Sequence, residues 1–458
     1  MENFVCGILS FIVLGVVGTV VVRSTQSYRG TLPDQVKLFW CAYAIRFALS
    51  VVLYTTSLQD SILGESDHIG WFRGMLFVQE VDDSPDGPLA LPRLVIANSF
   101  GGTNAGYGVI LGFYFYFTRL GCQLAAATVV GCCGALTAVF AYRLARLNFS
   151  DWVAWRAGWW VCLFPGMIIW SAQTSKEGVV ILLEVLALYS CLQLRLNRTS
   201  VRHILLCGAS VFMLLSLRFY AAYLCIGVIL VSLLLPQIRR GRSSMVSAAA
   251  ASVVLLVPLY LMSGSLTLHT EAYDKVANVA YLGQFRDAVS TGQGSGSGVK
   301  TDHDLGTSAG LGLATAEGVV YLLLAPFPWQ LLSGGSLRML LTAPEMILWW
   351  YLVIAGVIPG LLHAARHRLG DLLPVILFVA GLGLVYSLMF GNVGLIYRQR
   401  SQLLPYLFAF AAYGIERRRE RRRPAGATVG HGTLDFNNIG GEASAGPPSK
   451  EERWGLSG

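Results

Sequence analysis

Charge is scarce in this chain. Only 13% of its 458 residues are Asp, Glu, Lys or Arg, while 54% are hydrophobic and the mean hydropathy is +0.58. Those values exclude an ordinary soluble domain and point to a polytopic membrane protein. Cysteine is missing from the places where it would shape a fold. The nine cysteines are Cys6, Cys41, Cys122, Cys132, Cys133, Cys162, Cys191, Cys207 and Cys225, and none lies in a long polar loop. Neither a disulfide framework nor zinc spacing follows, and they read as small apolar packing residues. No internal repeat is visible, so two related transporter halves are not indicated. A basic leader is absent as well. Only Met1-Glu2-Asn3 precedes the first apolar run, so Phe4–Val22 reads as a mature span and not as a signal peptide.

Long apolar runs dominate what is present. A span takes roughly 20 apolar residues. By that measure about eleven are expected: 4–22, 36–56, 121–146, 152–172, 176–196, 203–217, 219–235, 244–262, 346–365, 372–390 and 402–416. The fold class implied is all-α, a polytopic transmembrane helical bundle over residues 1–423. The stretch 424–458 is rich in Gly, Ala and Ser and reads as a disordered cytoplasmic tail.

The net charge of +8 is not a nucleic-acid signal. Basic residues collect at span ends: Arg143 and Arg146, Arg195, Arg198 and Arg202, Arg239, Arg240 and Arg242, Arg366 and Arg368, then Arg417–Arg423. All of these ends share one side if the N-terminus is outside and the C-terminus cytoplasmic, which is the positive-inside pattern. The run ERRRERRR then reads as an anchor at anionic lipid.

Two polar loops hold half of the 26 acids, about Ser57–Gly106 and about Ser263–Glu317. With their apolar neighbours they make outer regions 57–120 and 263–345. Tyr107–Leu120 is aromatic and short for a span, and is expected as an interface helix. Ser290–Gly298 (STGQGSGSG) is a Gly/Ser connector. Ala316–Ser333 is apolar but broken by Pro326 and Pro328, so a re-entrant or interface element is expected.

Loop one opens with Asp60, Glu65, Asp67 and His68 just after a span. A carboxylate at the membrane boundary can act as general base toward a hydroxyl; solvated loop acids are the plainer reading. Asp82, Asp83 and Asp86 could hold a hard cation through oxygen, but Pro85-Asp86-Gly87 speaks for a turn. Pro165 should end or kink a helix near the interface. Lys176 opens the next helix, where an ammonium is unfavourable for the dipole but suits a phosphate. Glu184 sits mid-span, where an ionisable side chain costs about 2.5–3.5 kcal/mol and should face the bundle interior. Arg218, Arg398 and Arg400 stand on the outer side against the charge rule. Guanidinium matches phosphate, and ion pairing with loop carboxylates is the alternative.

Taken in order, these segments resemble the GT-C glycosyltransferases, polytopic enzymes that use polyprenyl-phosphate sugars. The resemblance runs over roughly residues 55–415: an acid in SDHIGW, an aromatic helix in GYGVILGFYFYFTRLG, Tyr142–Arg146 in YRLARL, FPGMIIWSAQTSKEG, and YRQRSQLLPYLFAFAAYG. It implies direct inverting transfer of a sugar to an acceptor hydroxyl on a glycan, lipid or protein. Asp67 would be the base, with Glu65 and Asp60 as neighbours in that role. Lys176, Glu177, Arg218, Tyr397, Arg398, Arg400 and His68 would bind substrate. No cofactor is required by that scheme, and a divalent metal is an open addition. Partners would be the lipid-linked sugar, its acceptor and membrane lipid, with a bacterial plasma membrane as the expected location. This chain departs from the common pattern where His68, not a second acid, follows Asp67. The rival readings are an O-antigen polymerase or ligase, using outer arginines and His269 or His303, and a transporter or flippase of lipid-linked glycans, for which Glu184 is the main residue.

Overall fold

The computed structural model describes residues 2–25, 31–56, 58, 68–100, 106–238, 305–332, 337–389 and 391–422, with 283–284, 286–288, 290, 298–299 and 303 between them. Nearly all are helical, and no β-strand occurs among the described residues. Met1–Arg417 form one compact unit; Arg418–Gly458 form a second, described only through Arg422.

The chain opens with α1 (Glu2–Ser24) and α2 (Leu32–Thr55). Loop one then carries α3 (His68–Asp82), a 3-10 turn at Gly87–Ala90, α4 (Leu91–Phe100) and α5 (Gly106–Thr118). Next come α6 (Gln123–Asn148), α7 (Asp151–Leu163), α8 (Pro165–Ser171), α9 (Glu177–Leu196), α10 (Val201–Leu217) and α11 (Phe219–Ile238). The C-terminal part holds α12 (Ser308–Leu324), α13 (Pro328–Leu332), α14 (Leu337–Leu352), a π-turn at Val353–Val357, α15 (Ile358–His367), α16 (Leu369–Leu388), α17 (Val393–Arg400) and α18 (Leu404–Arg422).

Among the described residues, six helical stretches are long and apolar enough to cross a bilayer: Glu2–Ser24, Leu32–Thr55, Gln123–Asn148, Glu177–Leu196, Pro344–His367 and Leu369–Leu388. They mark an integral membrane protein. The helix α6 is the hub, buried along nearly its whole length against α1, α2, α7 and α9. By contrast, Ile12, Val13, Val16, Val17 and Val20 leave an apolar face of α1 exposed, as lipid contact requires.

The expected single span over 152–172 is divided. Pro165 lacks an N–H, so α7 stops at Leu163 and α8 restarts at the proline. This leaves the last carbonyls of α7 without helical partners. Arg46 of α2, fully buried, donates to Val161 O at 3.0 Å, Cys162 O at 3.2 Å and Ser171 Oγ at 2.7 Å. Arg143 of α6 does the same for α1, through Val22 O at 2.8 Å and Thr25 O at 3.2 Å, and also donates to Gln35 at 2.8 Å. A cation at a helix C-terminus also meets the negative end of the dipole. Arg143, expected as one of the basic residues at a span end, is here buried and caps a neighbouring helix.

Contacts sort the helix ends. Arg143 ties α6 to the end of α1 and the start of α2, and Arg146 pairs with Asp151. Arg368 donates to Asn148 O, Arg195 donates to Gly370 O and Asp371 O, and Ser150 meets Glu416. The ends of α1, α6, α9 and α15 and the starts of α2, α7 and α16 thus gather at one pole of the bundle. At the opposite pole lie the end of α2 and the start of α9, where Tyr54 meets Thr174.

The apolar segment after loop two forms α12, starting at Ser308 and stopping before Pro326. Its last carbonyls accept from side chains: Leu323 O from Trp349, Leu324 O from Trp350 at 2.7 Å, and Ala325 O from Arg400 at 2.7 Å. A helix can end inside an apolar bundle only with such donors. On the far side, α18 lies close against the π-turn and α15. A Cβ on Gly360 would strike the Phe410 carbonyl, and one on Gly414 would strike the Gly356 carbonyl.

Candidate functional site

Glu177 is the first residue of α9, directly after Lys176, and is fully buried. Arg218 occupies the break between α10 and α11, where it projects from neither helix body. Its Nη2 donates to Glu177 Oε1 at 2.9 Å and its Nη1 to the Tyr386 hydroxyl at 2.9 Å. That hydroxyl donates to Gln402 Oε1 at 2.5 Å, and Gln402 Nε2 donates to Glu177 Oε2 at 3.1 Å. Four side chains from α9, the α10/α11 break, α16 and the α17/α18 turn thereby close a ring.

Arg398 joins the ring from outside. Its Nε donates to Glu177 Oε1 at 2.9 Å, and its guanidinium lies 5.8 Å from the Trp170 ring centre. Among the described residues, its two terminal nitrogens donate no hydrogen bond. The Arg398 side chain is 27% exposed, whereas that of Arg218 is 7% exposed. Arg400 differs again. It is 1% exposed, donates to Ala325 O and Met346 Sδ, and stacks within 5.4 Å of Trp349. Of these three arginines, Arg398 is the most exposed, and its terminal nitrogens make no hydrogen bond among the described residues. Lys176, next to Glu177 in the chain, is half-buried, and its charge is felt at the Glu177 carboxylate.

A second carboxylate braces α17. Tyr397 donates to Glu345 Oε2 at 2.8 Å, and Glu345 also lies against Gly166 of α8. Adjacent residues Tyr397 and Arg398 are thus held by carboxylates of two different helices. Burial pushes the Tyr397 phenol well above its usual range, with the Glu345 charge adding to the effect, so it acts here as a hydrogen-bond donor.

The loop-one acids Asp60, Glu65 and Asp67 lie outside the described residues, and so does the His68 side chain, although His68 begins α3. Their described neighbours are at this pole. Tyr54, at the end of α2, donates to Thr174 Oγ1 at 3.2 Å and accepts from Thr174 N at 3.0 Å. On the other flank, Gly70 of α3 lies against the Tyr107 ring, and Gly106 of α5 against Ser216, two residues before Arg218.

Further along loop one, the acidic segment forms a turn followed by the 3-10 element. Asp82 accepts from Arg119 at 2.7 and 3.1 Å, and the guanidinium holds its carboxyl below the usual carboxylate range. Among the described residues, no group of three His, Cys, Asp or Glu is placed to hold a metal ion. The expected span 244–262, most of 290–298, His269 and the tail 424–458 also fall outside the described residues. His303 sits 3.2 Å from Glu317.

Sequence reasoning missed Glu345, Tyr386 and Gln402. Glu345 carried a signal, a lone carboxylate in the apolar run TAPEMILWWYLV, like that of Glu184. Glu184 does face the interior, fully buried. Tyr386 and Gln402 carried none, since nothing local distinguishes them.

No protein-family model matches this chain, and no curated protein matches it.

Proposed function

We propose that this protein is a membrane glycosyltransferase moving a sugar from a polyprenyl-phosphate donor to an acceptor hydroxyl at the outer face of a bacterial plasma membrane. The observation that carries the reading is the Arg398 guanidinium, held through Nε by Glu177, with a side chain 27% exposed and an Nη1/Nη2 edge that makes no hydrogen bond among the described residues. That edge matches two phosphate oxygens in a bidentate pair. Lys176 adds a second cation at the start of α9, where helix N–H groups also favour an anion.

The topology assumed is about eleven spans, with the N-terminus outside and the pole holding Arg398 at the outer surface. The base is Asp67, with Glu65 and Asp60 nearby in sequence. It takes the proton of the acceptor hydroxyl as that oxygen attacks the anomeric carbon. The bond from that carbon to the phosphate oxygen breaks, and the polyprenyl phosphate leaves with the electron pair. Its new charge is met by Arg398 and Lys176. Arg218 and Arg400 support the site without touching the substrate, because both are buried with their two terminal nitrogens bonded to protein acceptors.

The test is sugar transfer by purified protein in nanodiscs, supplied with a radiolabelled pool of polyprenyl-phosphate sugars. Release of label from the lipid by wild type, absent in Asp67→Asn and Arg398→Gln, supports the reading. A folded wild type that consumes no donor overturns it. The polymerase or ligase reading draws on the His303–Glu317 pair in loop two and predicts loss of activity in His303→Gln with Asp67→Asn unaffected.

A further inference from the structure

We propose that Glu177 is a positioning residue that aims Arg398 at the phosphate, and not a substrate ligand. The inference rests on the lipid-phosphate reading above and assigns Glu177 a role within it.

Glu177 is unsuited to bind an anion directly. It is fully buried and negatively charged beside a site that must attract negative charge. Three donors already occupy it: Arg218 and Arg398 on Oε1, Gln402 on Oε2. Those contacts have a directional consequence. A guanidinium has five N–H donors in a planar fork. Anchoring Nε leaves Nη1 and Nη2 as the edge facing away, and the Trp170 ring restricts the plane. Without the carboxylate, Arg398 keeps its charge but loses the contact that chooses its orientation.

The rest of the ring holds Glu177 in place. Gln402 and Arg218 grip its two oxygens, and Tyr386 links them, so the carboxylate cannot swing toward solvent with Arg398. On the opposite side Tyr397 is tied to Glu345, and the Ser401 hydroxyl donates to Arg398 O at 2.6 Å. Backbone and side chain of Arg398 are therefore fixed by separate contacts. Oriented donors that need no reorganisation on binding are the source of strong anion recognition in a site of this kind.

A simpler role for Glu177, as a mere counter-charge, makes the opposite prediction. Removing a nearby negative charge then strengthens phosphate binding. Positioning predicts that binding weakens although the site has become more positive. Two variants separate the cases. Glu177→Gln removes the charge and keeps the shape; Glu177→Asp keeps the charge and withdraws the oxygens by one methylene.

The experiment is binding of farnesyl phosphate to the full chain in neutral-lipid nanodiscs, with farnesol as the uncharged control. Each variant is checked for folding by its melting profile. The expected result is selective binding of farnesyl phosphate by wild type and a loss of about tenfold in affinity in both variants. Unchanged binding in Glu177→Asp, or tighter binding in Glu177→Gln, overturns the positioning role and leaves the lipid-phosphate reading standing. Equal affinity of wild type for farnesol and farnesyl phosphate overturns both. If Glu177→Gln does not fold, Glu177→Asp alone decides, because it retains the counter-charge for buried Arg218.

Discussion

Arg218 and Arg398 donate to the same oxygen, Oε1 of Glu177, each at 2.9 Å. They arrive from different parts of the chain and have different remaining freedom. Arg218 spends its second terminal nitrogen on Tyr386 and is sealed in the bundle. Arg398 spends only Nε and stays partly exposed. One carboxylate thus anchors two cations, of which one is sealed in the bundle and one stays partly exposed.

Arg398 and Arg400 should separate function from stability. Arg398→Gln is expected to lower donor turnover by about 100-fold with little change in melting temperature. Arg400→Gln leaves the buried Ala325 carbonyl without its guanidinium donor. It should cost roughly 2 kcal/mol of stability and lower the melting temperature, with the remaining folded protein still binding donor. Parallel melts and turnover assays in detergent check both. A stability loss confined to Arg398→Gln would reverse the assignment.

Asp67→Asn should abolish sugar transfer while keeping donor binding. Loss of a general base lowers the rate by about 10²–10⁴-fold. Steady-state turnover alongside farnesyl phosphate binding reads the two separately. Full activity in the variant would shift the base to Glu65 or Asp60.

The Asp82–Arg119 pair joins the end of α3 to the chain just after α5, at an exposed position. Arg119 lowers the Asp82 carboxyl, so its contribution is present above the unfolded-state value, near 4 for an ordinary Asp, and is lost as pH falls through the depressed folded value. The melting difference between wild type and Asp82→Asn should be small, constant from pH 7 to about pH 5, and should vanish only in strong acid. A difference that disappears near neutral pH would show that Arg119 does not depress Asp82.

Gly360→Val tests the close contact of α15 with α18. The added Cβ meets a backbone carbonyl, which cannot rotate away as a side chain would. The helices must separate, at a cost of about 1–3 kcal/mol, read as a lower melting temperature. The same change at Gly370, which has open space around it, should be nearly silent.

The sequence by itself determined that the chain is helical and apolar enough for a membrane, and where prolines interrupt its helices. Hydropathy marks apolar segments because burial or lipid contact acts on each residue's own surface. Pro165 divides its segment because a proline removes its own N–H. The helical reading of Tyr107–Leu120 and the turn around Asp86 were legible for the same local reason. Only the tertiary structure decided what the arginines do. Arg398 and Arg400 look alike in YRQRSQ, but two residues on a helix point about 200° apart. One therefore meets Glu177, 221 positions away in sequence, and the other meets Ala325, 75 positions away. Those partners arrive through the packing of α9, α12 and α17, and packing is a property of all the surfaces together, which no single segment encodes.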